Sequence, residues 1–303
     1  MTKDIRGHIT ALFTVFVWGT TFTVTKILLK YFSPYQILFI RFFIAFLLLT
    51  VIDHKRIKYI CFKDELLFIF AALTGVVFYF LFENTALVYT TAANVGILVA
   101  VSPFITALLS RLFLKEELKK CFFIGFIVSM IGITVITFNG KFVLELNPKG
   151  DTLALLAAIV WAAYSTASKK LTLKGYPALG ATKHTFMYAL LIMIPVILFS
   201  KNKIPFDYIT EKNVLLSFLF LGCIGSGICY VTWNGAIKIL GATKTSSYIY
   251  LSPVIATVFS FIVLNEKITY LEICGIILII IGLVISDGKF IRLKQTTNIK
   301  NKI

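Results

Sequence analysis

The sequence predicts an all-α integral membrane protein with ten transmembrane helices in two inverted five-helix repeats. Three observations carry that expectation: an apolar composition, ten stretches nearly free of charge, and an internal repeat with an odd number of helices per unit. Of the 303 residues, 58% are hydrophobic and 15% charged, and the mean hydropathy is +0.91. A soluble domain is about 45–50% apolar and about 25% charged, so this chain lacks the polar surface to enclose a core in water. The composition excludes a soluble globular enzyme, a disordered chain and a secreted disulfide scaffold. The five cysteines (Cys61, Cys121, Cys223, Cys229, Cys274) are odd in number and show no ligand spacing. They read as small core or lipid-facing residues. No metal site and no cofactor is expected.

A helix needs about 20 mostly apolar residues to cross the hydrocarbon core. The first is expected at 8–29. Lys3 and Arg6 before it imitate a signal peptide, but the run is too long for one, lacks a small-x-small site and continues into Trp18-Gly19-Thr20-Thr21-Phe22. The second, 35–52, carries Arg41. The third and fourth, 66–88 and 92–114, come from two charge-free stretches separated by Glu83 alone. The fifth is 121–138, the sixth 152–169, the seventh 179–199 with His184, and the eighth 213–238. The ninth, 243–264, has Ser252-Pro253 near its middle, and the tenth is 270–286. Runs this long, without period-two alternation, exclude a β-barrel.

Self-comparison finds the repeat. Asn84, Ala86, Ser102-Pro103, Leu114-x-Glu116, Gly125 and Gly132 recur 150 residues later as Asn234, Ala236, Ser252-Pro253, Leu264-x-Glu266, Gly275 and Gly282. Nearer the start of each half the offset is 143, pairing Trp18 with Trp161 and Pro34 with Pro177. The expected units are 1–140 and 149–287, followed by a basic tail, 288–303. Five helices per unit turn the second unit upside down relative to the first. Inverted repeats imply a pseudo-two-fold axis in the membrane plane, a substrate site near the midplane and alternating access.

Twenty Lys and Arg fall in segments on the side of the N-terminus and eight on the other. By the positive-inside rule both termini are expected in the cytoplasm, within the cytoplasmic membrane. The net charge of +16 then reflects topology, with lipid and a small-molecule substrate as partners and no nucleic acid. The tail residues Lys289, Arg292, Lys294, Lys300 and Lys302 are expected against anionic lipid.

With these motifs in view, the chain resembles the EamA type of the drug/metabolite transporter superfamily. The resemblance rests on Trp18-Gly19-Thr20-Thr21-Phe22, Arg41-Phe42, Glu83 to Thr90, and Pro103…Leu114-x-Glu116 with its second copy. It covers about residues 8–286. It implies secondary transport, often export, of amino acids, metabolites or small drugs through a central cavity between the repeats. A monomer or homodimer is expected.

Candidate substrate-binding residues are Trp18, Thr21, Tyr79, Glu83, Asn84, Asn94, Trp161, Tyr164, Ser165, Tyr230, Asn234, Tyr248 and Ser252. An isolated carboxylate inside a membrane usually faces a cavity or a partner, so Glu83 reads as a proton-coupling or ammonium-binding group, or as a structural carboxylate where helix 3 ends. The aromatic residues suit cations and apolar groups, or simply pack. Asn84 and Asn234 either reach substrate or lock helices together. Arg41 binds a substrate carboxylate or, as the resemblance favours, holds helix ends. His184 titrates or is a hydrogen-bonded core residue. Pro103 and Pro253 are expected to bend helices 4 and 9 at a gate. Glu116 and Glu266 read as caps. Gly125, Gly132, Gly275 and Gly282 permit close packing of helices 5 and 10, with a homodimer as another use of that face. No catalytic cluster, nucleophile motif or P-loop is present. A polytopic enzyme acting on lipid and a channel or facilitator are the alternatives to a carrier.

Overall fold

The structure is a computed structural model, describing residues 3–54, 61–138, 147–200, 203–255, 257–258 and 269–287. Every regular element among them is a helix. In the first repeat α1 is Lys3–Leu28, α2 Pro34–Ile52, α3 Phe62–Tyr89, α4 the two segments Ala92–Val99 and Ser102–Leu114, and α5 Lys120–Phe138. In the second, α6 is Pro148–Leu173, α7 Ala178–Leu198 and α8 Lys212–Leu240. The described part of α9 starts with Ala242–Ser246 and the tight 3₁₀ turn Ser247–Leu251, and α10 is Tyr270–Asp287. Eight of these helices are long and apolar enough to cross a membrane, and Tyr270–Ser286 is a shorter apolar helix. Exposed Phe16, Leu112, Ile127, Leu198 and Ile277 face outward as a lipid-solvated surface requires. Glu266, Leu264, Lys55, Arg56, Lys58, Lys141, Lys201, Lys267 and the tail from 288 lie outside the described residues.

Local chemistry explains where several helices begin. α1 starts at Lys3, earlier than hydropathy predicts, with Asp4 in its first turn, where the helix dipole favours an anion. α3 likewise opens with Asp64 and Glu65. Ser33 and Gln36 close the start of α2, the Gln36 side chain accepting the Ser33 N–H at 2.9 Å, and Pro34 occupies a first-turn position where its missing N–H costs nothing. Asn147 caps α6 ahead of Pro148.

Three irregularities interrupt otherwise continuous helices. α3 passes through a π-helical segment at Leu73–Phe78, and α8 through one at Phe220–Ile228. Shifted by 150 residues, the first segment becomes 223–228 and falls inside the second. α4 breaks at Ala100 and Val101, where Val101 N–H bonds Leu98 O at 3.2 Å and Phe104 N–H bonds Val101 O at 3.0 Å. Pro103 therefore starts a new segment instead of kinking a continuous one. Pro253 likewise follows the 3₁₀ turn. The bend expected at each proline lies just before it.

Glycines bring α5 and α10 into backbone contact within one chain. A Cβ on Gly132 would sit 2.7 Å from Gly275 O, and one on Gly282 the same distance from Gly125 O. The glycine faces proposed for a homodimer are thus already used inside the molecule.

The two ends of the repeat interface differ in chemistry. On the N-terminal face, Asp64 of α3 pairs with Lys174 and accepts the Tyr176 hydroxyl at 2.8 Å. Next to it Glu65 accepts the Tyr188 hydroxyl at 2.6 Å and pairs with His184 Nε2 at 2.9 Å. His184 is thus a bonded residue of this clasp. The hydrogen bond that Lys174 donates to Asp64 raises the Lys174 pKa, while burial and Asp64 push Tyr176 up to about 12. On the same face Glu116 accepts Thr243 Oγ1 at 2.7 Å and the Ala242 N–H at 3.3 Å, capping α9. The opposite face is closed by an apolar cluster of Leu28, Phe32, Ile37, Val214, Phe218 and Leu221.

Candidate functional site

A cavity opens between the repeats, about half-way along α1, α2 and α6. Its wall comprises Trp18, Thr21 and Phe22 of α1, Arg41 of α2, Tyr79, Phe80 and Glu83 of α3, Val99 of α4, Trp161 of α6, and Ile249 and Ser252 of α9. Its empty space, including what is open to solvent, is about 480 Å³.

Each polar group reaches the wall for a structural reason. Arg41 is 2% exposed. Its Nε donates to Ser226 Oγ at 2.9 Å, and its guanidinium carbon lies 4.3 Å from the Phe80 ring centroid. Among the described residues, Nε makes its single hydrogen bond, so the side chain is both anchored and presented to the cavity. Glu83 is 6% exposed, and its Oε2 is buried without a hydrogen-bond partner. Helix α3 continues six residues beyond it to Tyr89, so Glu83 is not at a helix end. The two opposite charges share the wall, yet no ion pair joins them among those described.

The π-helical segments supply carbonyl acceptors. Gly225 O accepts the Trp18 indole N–H at 2.9 Å, and Gly75 O accepts the Tyr230 hydroxyl. The rings assemble around these bonds. Trp18 stands edge-on to Trp161 at 5.2 Å and lies 5.0 Å from Trp233, and Tyr79 lies 4.8 Å from Trp161.

Of the candidates from sequence, Trp18, Thr21, Tyr79, Glu83, Trp161 and Ser252 line the cavity, and the other seven lie elsewhere. Tyr230 packs behind Trp18 and Trp161. Asn234 Oδ1 accepts Tyr164 Oη at 3.0 Å and Ser168 Oγ at 2.7 Å, while its Nδ2 donates to Thr182 at 2.9 Å. That network ties α6, α7 and α8 together and absorbs Tyr164. Asn84 Nδ2 donates to Pro34 O at 3.3 Å, holding α3 to the start of α2. Ser165 bonds back to Trp161 O at 3.0 Å. Asn94 joins Thr90 and Asp151 at the start of α4, and Tyr248 bonds His8 at the N-terminal face. Sequence reasoning missed Phe22, Phe80, Val99 and Ile249, apolar residues that resemble any other in a chain with 29 Phe. Helix 8, which carries the candidates Tyr230 and Asn234, contributes none of the lining residues, and helix 2 contributes Arg41.

The comparisons with known proteins agree with this architecture. The model of the EamA-like transporter family matches residues 5–138 and 148–286, one copy on each repeat. The chain belongs to the EamA-like transporter family. It is similar to an uncharacterized transporter of Archaeoglobus fulgidus, 30% identical over 288 residues that cover 94% of this chain and 98% of that one. It is also similar to the uncharacterized transporter YyaM of Bacillus subtilis, 26% identical over 94% of this chain and 95% of that one. A solved structure superposes with a TM-score of 0.77 at 20% identity, covering 96% of this chain and 98% of the other, a likeness of fold.

In this EamA-like transporter, cysteines at Thr21 and Ser252 in a cysteine-free background are expected to react with polar thiol reagents. A cysteine at Ser165, fully buried against the α6 backbone, is expected to stay unlabelled. Equal labelling at all three positions would contradict the cavity boundary.

Proposed function

We propose that this EamA-like transporter is a secondary carrier that exports small organic solutes, such as amino acids, other metabolites or small drugs, across the cytoplasmic membrane by alternating access. The observation that carries the reading is the mid-depth cavity in which Arg41 and Glu83 stand without pairing to each other. Opposite charges buried apart are costly, and a polar solute between them offsets that cost. The export direction is carried over from the family resemblance. Glu83 serves as the proton-coupling group, taking a proton from the outer side and releasing it inside as the repeats exchange conformation. The Lys/Arg bias places the N-terminal face, with its Asp64–Lys174 and Glu65–His184 clasp, in the cytoplasm, and both termini with it. The working partners are the solute and the surrounding lipid, and the protein works as a monomer or homodimer. As a member of the EamA-like transporter family, the protein acts as a carrier and not as an enzyme.

The test is a solute screen in proteoliposomes with and without a pH gradient. The expected result is saturable flux, counterflow by unlabelled solute, and accumulation that follows the gradient. Non-saturable flux without counterflow would make the protein a channel.

A further inference from the structure

The two repeats break their symmetry at one hydrogen bond, and the break leaves a donor at the cavity wall. Trp18 and Trp161 are equivalent under the 143-residue offset, as are Gly75 and Gly225 under the 150-residue offset. Trp18 donates its indole N–H to Gly225 O. The symmetric acceptor for Trp161 is Gly75 O, but the Tyr230 hydroxyl already occupies it. The residue equivalent to Tyr230 in the first repeat is Phe80, which has no hydroxyl and so leaves Gly225 O to Trp18. Trp161, a residue of the cavity wall that is 3% exposed, therefore keeps its Nε1 buried and unpartnered. Trp233 Nε1 is also unpartnered, but Trp233 packs behind Trp18 and does not line the wall. A buried donor without an acceptor is costly, and at this position a bound solute can supply one.

We propose that Trp161 is a specificity-determining residue of the cavity, its indole N–H donating to a carboxylate or carbonyl of the solute. The solute is then an apolar body carrying such an acceptor, with Arg41 on the same wall favouring the charged form. This rests on the carrier reading of the cavity and adds which solute group is recognised, and by which atom.

The experiment measures binding of radiolabelled L-leucine to the full chain in detergent, with L-leucinamide and isopentylamine as competitors. Leucine has the carboxylate, leucinamide a neutral carbonyl, and isopentylamine no acceptor. In the wild type the expected affinity order is leucine, leucinamide, isopentylamine. Trp161→Phe keeps a ring and removes the donor. It is expected to bind leucine about tenfold more weakly and to lose the preference of leucinamide over isopentylamine. Without solute, Trp161→Phe loses ring packing but no protein hydrogen bond and should melt less far below the wild type than Trp18→Phe, which also loses its bond to Gly225 O. A wild type that binds none of the three or treats them alike overturns the assignment, as does a Trp161→Phe variant that keeps the wild-type order. Leucine counterflow with unchanged discrimination by Trp161→Phe would remove this inference alone. Leucine binding sensitive to Trp161 but without counterflow would remove the carrier reading alone.

Discussion

Replacing Glu83 by Gln is expected to abolish accumulation driven by a pH gradient while leaving solute counterflow intact. The amide keeps the shape of the side chain and removes its titration. With one proton coupled per cycle, each pH unit supports about a tenfold concentration ratio. The wild type should approach that ratio and Glu83→Gln should stay at equilibrium. The fold should survive, because Glu83 Oε2 has no hydrogen bond to lose and no ion pair joins Glu83 to Arg41 among the described pairs. A variant that binds solute weakly with or without a gradient would assign Glu83 to the solute's ammonium. A variant indistinguishable from the wild type in both assays would leave the carrier without a coupling group and make it a facilitator.

The second large effect is expected from Gly75→Ala, a change of one methyl group. A Cβ at Gly75 would overlap the ring of Tyr164. Tyr164 is 2% exposed, and its hydroxyl belongs to the Asn234 network joining α6, α7 and α8, so the ring has no free path of retreat. Overpacking of this kind costs about 1–3 kcal/mol, and occasionally more. The measurement is the melting temperature in detergent, with folded yield as a second readout. Gly225→Ala is the matched control, since its Cβ would meet Thr21 Cγ2 at 3.2 Å, a far milder overlap. Gly75→Ala should fall well below that control. Equal melting temperatures would show that Tyr164 can yield and that the π-helical crossing is looser than its geometry implies.

Both predictions turn on features that were unequally visible in the chain. Glu83 stood out in sequence because a charge between two long apolar runs is conspicuous. Gly75 carried a signal that was overlooked: it matches Gly225 at the offset already established for Asn84 and Asn234. Arg41 was conspicuous too, but the resemblance favoured a purely structural role, and the structure gives it a place in the cavity wall as well as a bond to Ser226. Asn234, Tyr164 and Ser165 looked like site residues because they are polar and lie on membrane helices. Once the helices are packed, each satisfies its hydrogen bonds inside the protein.

The sequence by itself determined that the chain spans the membrane as ten helices in two inverted units. Hydropathy, helix caps and internal repetition are properties of short segments, or of two segments compared, and need no contacts to read. Only the tertiary structure decided which polar groups remain available in the cavity. A π-helical segment changes which residues of a helix face a neighbour, and hydropathy does not register that change. Whether a buried donor or acceptor is left for a solute depends on every group that reaches it first. Trp18 and Trp161 read alike along the chain, and the Tyr230 hydroxyl, packed against Gly75 from the other repeat, makes them different.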